Sequence, residues 1–107
     1  NYRITRLLLE QSPGLAGIYN IGGASDGVAQ ALKEAGVEHK IVFIGHGLTP
    51  DTRALLIDGA MDAVITQNPQ SATMSCIRIF ANLRDHRNIM SGVEPVQSQI
   101  IFRENLP

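Results

Sequence analysis

Gly17-Ile18-Tyr19-Asn20-Ile21-Gly22-Gly23-Ala24-Ser25-Asp26-Gly27 decides how the whole chain is read. A short apolar run enriched in β-formers stops at a polar residue, passes through a small-residue turn and enters an amphipathic pattern, Val28, Ala31, Leu32 and Ala35. That order is the signature of a strand-to-helix turn in an α/β sheet. It places Asn20 at the carboxyl end of a strand spanning Leu15 to Ile21, with the Ser25 hydroxyl as the expected helix cap and Gly36 as the stop.

The same pattern returns twice. Ile41-Val42-Phe43-Ile44 is a continuous run of β-formers, which predicts a strand covered on both faces. Gly45-His46-Gly47-Leu48 is its turn, and Thr49-Pro50-Asp51 opens a helix with a capping hydroxyl, a first-turn proline and an acid near the positive dipole end. Ala63-Val64-Ile65-Thr66 is a third strand, followed by Gln67 and the cap-then-proline pair Asn68-Pro69. The helix that follows carries Ala72, Cys76, Ile79, Phe80 and Leu83 on one side, which predicts a buried thiol.

Outward from this centre, Ile4, Leu7 and Leu8 line one face of an opening helix that Pro13-Gly14 ends. His86 to Pro95 reads as a surface loop. Val96 to Arg103 alternates as an edge strand, with Val96, Ser98, Ile100 and Phe102 on one side. Strands alternating with helices over short connections predict an α/β fold: a mostly parallel open sheet with helices on both faces.

Composition bounds the function. The chain has 107 residues, 44% hydrophobic and 18% charged, with a net charge of −1. Its Lys and Arg are scattered, so this segment offers no footprint for DNA. The single Cys excludes an internal disulfide and a CxxC centre. No apolar run approaches membrane-spanning length and no signal-peptide pattern opens the chain, which together predict a soluble, cytoplasmic protein. The start at Asn1 without Met leads us to expect further sequence upstream.

In an open parallel sheet, ligands bind beyond the carboxyl ends of the strands. The residues there are Asn20, His46 and Gln67. Amides and a neutral imidazole carry both donors and acceptors, a set suited to the hydroxyls of a small polar molecule. Each also has a plainer reading: Asn20 bonding its own turn, His46 as a loop histidine, Gln67 facing solvent before a cap. Gly22-Gly23-x-x-x-Gly27 matches neither GxGxxG nor GxxxxGK[ST], which argues against nucleotide binding. His46, Asp51 and Ser25 lack a nucleophile elbow, and His39 and His86 are far apart in sequence. No enzyme, metal or cofactor is expected.

GIYNIGGASDGVAQAL (17–32), VFIGHGLTPDTRALLIDGAMDAVITQNP (42–69) and IIFRENLP (100–107) resemble the carboxyl-terminal half of the sugar-binding, periplasmic-binding-protein-like domain of lac-repressor-family transcription regulators. The resemblance covers nearly the whole chain and lies in order and spacing. It implies that residues 1–107 form the carboxyl-terminal lobe of a two-lobed effector domain. It also implies operator DNA bound through a separate amino-terminal helix-turn-helix, a sugar-like effector in the cleft and a homodimer. Asn20 matches the family's asparagine after the lobe's first strand, and Gln67 the polar residue after the third. Many members have Asp where this chain has Gly45-His46-Gly47, so a hydroxyl acceptor is either missing or replaced by His46, and a phosphorylated or acidic effector stays open beside a neutral sugar. A periplasmic sugar-transport receptor of the same fold is the alternative.

Overall fold

The computed structural model describes residues 1–107. The elements run α1 (Tyr2–Gln11), β1 (Gly17–Asn20), α2 (Ser25–Glu34), β2 (Val42–His46), α3 (Pro50–Asp58), β3 (Ala63–Gln67), α4 (Pro69–Arg84) and β4 (Ser98–Ile101), with a final 3₁₀ turn at Arg103–Asn105. The four strands form one sheet in the order β1-β2-β3-β4. The β1–β2 pair is parallel, with Ile18 opposite Phe43 and Asn20 opposite Gly45. β2 and β3 are also parallel, with Gly45 opposite Val64 and His46 opposite Ile65. The α/β class and the parallel open sheet expected from the sequence are present.

The chain divides into two compact units, one of Asn1–Thr66 with Ile100–Pro107 and one of Gln67–Gln99. In the first, each strand steps to its immediate neighbour, so right-handed crossovers carry successive helices onto the same face. The core shows this. Ile18, Phe43 and Val64 point to that face and pack with Leu9 of α1, Val28 and Leu32 of α2, and Leu55 and Leu56 of α3. Phe43, Leu32 and Val64 are fully buried. The opposite face carries Tyr19 and Val42, which are 45% and 52% exposed. The expectation that Ile41–Ile44 is covered on both faces is therefore corrected, because α1, α2 and α3 share one side.

Two local readings are corrected too. Ser25 is the first helical residue, not the cap; Ala24 holds that position in the left-handed region at φ 59°, without a side-chain bond. The hydroxyl of Ser25 is occupied by Asn20 instead. In α1 the buried side is Thr5 and Leu9, while Ile4, Leu7 and Leu8 face outward. The reason lies in the approach to α2: a side chain at Gly27 would meet the Tyr2 backbone at 3.3 Å, which fixes the side of α1 that turns inward. In β4, the alternation read from the sequence resolves with Ile101 buried and Ile100 exposed.

The helix starts at Thr49 and Asn68 hold as read. Thr49 Oγ1 accepts from Thr52 N–H, and Thr52 Oγ1 accepts from Thr49 N–H, a reciprocal capping box with Pro50 in the first turn. Asn68 Oδ1 accepts from Gln70 and Ser71 amides.

The second unit is organised by Asn82, the one buried residue of α4. Its Nδ2 donates to the carbonyls of Ile89 and Ser91, both at 2.8 Å, and so anchors the loop after the helix. Ser75 Oγ adds a bond to the Glu94 carbonyl at 3.1 Å. Cys76 is exposed, as are Met74, Ile77 and Phe80. The buried-thiol expectation is corrected: the inward side of α4 in this unit runs through Ala72, Ser75, Ile79 and Asn82, so Ala72 and Ile79 of the expected face are half-buried while Cys76, Phe80 and Leu83 are exposed.

Candidate functional site

Parallel pairing sets the carboxyl ends of β1 and β2 side by side, because Asn20 is in register with Gly45, next to His46. Gly45 lets the strands meet α2 closely. A Cβ there would come within 2.9 Å of Met61 Sδ and 3.7 Å of Ser25 Oγ.

Asn20 points to the Phe43 face and braces the turn that follows it. Its Nδ2 donates to Ser25 Oγ at 2.9 Å and to the Gly23 carbonyl at 3.1 Å. Asn1 Nδ2 donates to the same Gly23 carbonyl, so one oxygen ties the start of α1 to the β1–α2 turn. These bonds occupy the amide nitrogen of Asn20 and leave Oδ1 directed by the turn as an acceptor.

His46 is the last residue of β2 and lies on the other face. Strand alternation puts it on the side of Ile44, which pairs with Tyr19, and the Tyr19 Oη to His46 Nδ1 distance is 2.9 Å. The rings are 6.3 Å apart and tilted by 48°. One hydrogen bond thus holds the imidazole through Nδ1, and Nε2 is its second polar group. The structure brings together the strand ends of Asn20 and His46 but turns their side chains to opposite faces. Gln67 closes β3 immediately ahead of the Asn68 cap.

Tyr19 and Thr52 were not singled out in the sequence. Tyr19 holds the imidazole. Thr52 Oγ1 donates to the Gly47 carbonyl at 2.8 Å and so clamps the loop that leaves His46. The alternation Ile18-Tyr19-Asn20 carried the first signal, but only the register shows that Tyr19 reaches His46.

The local field comes from two helix starts. Asp26 lies in the first turn of α2 and Asp51 in the first turn of α3. Each already offsets the positive dipole end that would otherwise attract an anion. No group of three or more His, Cys, Asp or Glu is placed to hold a metal ion. No helix is long and apolar enough to cross a membrane.

The periplasmic binding protein domain family matches residues 1–88, most of the chain, and the chain belongs to that family. Among solved structures, a glucose-galactose binding protein, GanP, from Geobacillus stearothermophilus superposes with a TM-score of 0.87 at 20% identity over 99% of this chain. An ABC transporter periplasmic solute binding protein from Actinobacillus succinogenes with bound D-allose gives 0.80 at 23% identity over 96% of this chain. A solute binding protein from Agrobacterium vitis with bound D-fucose gives 0.80 at 21% over 97%. The chain spans 38% of the first of these proteins and 36% of each of the other two. A search of curated proteins gave no match.

Proposed function

We propose that this chain is one lobe of a carbohydrate-binding effector domain and contributes Asn20, His46 and Gln67 to a cleft completed by a second lobe. The observation that carries this reading is the set of adjacent parallel strands, β1, β2 and β3, each closing on a side chain with hydrogen-bonding groups. Asp26 and Asp51 at the helix starts favour a neutral sugar or polyol over the phosphorylated or acidic effector that the sequence left open. The sugars bound by the similar solute binding proteins are neutral as well. A cleft ligand needs groups from both sides to be buried, so full affinity belongs to the two-lobed protein.

Within that class, we read the domain as the sensor of a cytoplasmic, homodimeric transcription regulator that binds operator DNA through a separate helix-turn-helix. The support is the order and spacing of the stretches at 17–32, 42–69 and 100–107. Sugar binding then shifts DNA affinity because open and closed lobe arrangements bind the sugar unequally. A transport receptor is the second reading, favoured by the solute binding proteins of transporters among the similar structures.

The test is a thermal-shift panel of neutral sugars, polyols and sugar phosphates on the full-length protein. A neutral sugar should raise the melting temperature, and Gln67→Ala should weaken that sugar by about 1 to 3 kcal/mol through lost hydrogen bonds. An unchanged affinity in Gln67→Ala removes that residue from the site, and a response confined to sugar phosphates overturns the neutral-ligand reading. Sugar-dependent release of a specific DNA duplex separates the regulator from the receptor.

A further inference from the structure

His46 has one ring nitrogen engaged and one left over. Tyr19 Oη lies 2.9 Å from Nδ1, so the imidazole can offer a ligand only Nε2. The backbone around it is held as well. Gly47 N–H donates to the Ile65 carbonyl at 2.9 Å, and the Gly47 carbonyl accepts from Thr52 Oγ1 at 2.8 Å. Gly45, on the other side, is in register with both Asn20 and Val64. The chemistry of the Tyr19–His46 contact then decides what Nε2 is. A phenol O–H is a far stronger acid than the N–H of a neutral imidazole, and the imidazole lone pair is a far stronger base than a phenol oxygen. The proton in the contact therefore sits on oxygen, Oη–H donates to Nδ1, and the ring proton is left on Nε2.

The neighbouring strand end is fixed in the opposite sense. The Gly23 carbonyl can only accept, so the Asn20 group that faces it at 3.1 Å is the amide nitrogen. The same nitrogen donates to Ser25 Oγ at 2.9 Å. Both hydrogens of the Asn20 amide are thus engaged, and only the acceptor Oδ1 remains.

We propose that Tyr19 is a positioning residue that makes His46 a hydrogen-bond donor, so that the cleft presents an acceptor at the β1 end and a donor at the β2 end. The inference rests on the reading of Asn20 and His46 as ligand-binding residues, and it narrows what they bind. The group met by Asn20 must bring a hydrogen, as a hydroxyl does and a carboxylate or an ether oxygen does not. The group met by His46 must bring a lone pair, which a hydroxyl or a sugar ring oxygen supplies. A neutral polyhydroxylated molecule satisfies both ends with one kind of group.

The test begins without ligand, on the full-length protein labelled at its histidine nitrogens, with the His46 signals assigned by their loss in His46→Gln. Long-range nitrogen–proton correlation, at a pH where the imidazole is neutral, should show the proton on Nε2 and a bare, hydrogen-bonded Nδ1. In Tyr19→Phe the Nδ1 resonance should move downfield, toward that of an imidazole lone pair with no donor. Affinity is then measured for the neutral sugar that gives the largest thermal shift. Tyr19→Phe should weaken it about tenfold. His46→Gln, which keeps a distal N–H, should bind it about tenfold or more tighter than His46→Glu, which offers only acceptors.

A proton found on Nδ1 overturns the proposal, as does an Nδ1 resonance that Tyr19→Phe leaves in place. Equal sugar affinity in the wild type, Tyr19→Phe and both His46 variants takes the imidazole out of the cleft and overturns it too, with the carbohydrate reading still standing. A protein that answers to no sugar fails the carbohydrate reading instead, and the nitrogen spectrum still decides whether Tyr19 sets the donor.

Discussion

Asn20 shows how one side chain serves two levels of structure. Its Nδ2 holds Ser25 Oγ, a buried hydroxyl, and the Gly23 carbonyl. Asn20→Ala strips that hydroxyl of its donor, so we expect a stability loss of about 1 to 3 kcal/mol in urea unfolding even without ligand. A loss confined to sugar affinity would show that the bracing is dispensable. Asp58 gives the pH dependence. Burial pushes its carboxyl upward, but the Ala60 amide at 2.8 Å and Lys33 at 2.9 Å outweigh it and hold the group below its ordinary value. A depressed carboxylate stabilises the fold above the unfolded value and loses that contribution as pH falls through the folded one. Asp58→Asn should therefore flatten the acid limb of a stability–pH curve below about pH 4, by under about 1 kcal/mol because the pair is half exposed. The polar strand ends were legible in the sequence because strands stop where apolar runs stop. The partners Ser25 and Tyr19 were not, since a side chain's face depends on strand register.

Among the elements, α3 and α4 begin where their sequences say and α2 does not. Thr49-Pro50 and Asn68-Pro69 work through bonds spanning two or three residues, so local sequence suffices. Ser25 loses the capping role to a contact with Asn20 across the turn. Thr49→Ala removes one half of the capping box and should cost about 1 kcal/mol, read from the chemical denaturation midpoint. An unchanged midpoint would mean that Thr52, bonded to the Gly47 carbonyl, holds the helix start alone. The amphipathic spacings of α1 and α4 predict the helices correctly, but the inward face of α1 wrongly and that of α4 only in part, through Ala72 and Ile79. In α1 the apolar stripe turns outward because Tyr2 seats against Gly27. In α4 the buried position is a polar one, Asn82, satisfied by two loop carbonyls.

For the whole molecule, the consecutive strand order is the decisive property, because it puts α1, α2 and α3 on one face of the sheet. Two adjacent residues of β2 measure the asymmetry. Phe43 lies under the helices and Val42 on the other face. Phe43→Ala should cost about 3 to 5 kcal/mol, while Val42→Thr should change stability by less than about 1 kcal/mol. Equal costs, measured by urea unfolding, would show that the second face is covered in solution. The sequence by itself determined the α/β class, the alternation of elements, the parallel sheet and the polar strand ends, because periodicity, caps and turn residues act over a few neighbours. Tertiary contacts alone settle which face of each helix is buried, which strands pair, and that Asn20 turns to Ser25 while His46 turns to Tyr19. Those outcomes depend on register and on the order in which strands pair, and both are fixed by contacts between segments distant in the chain.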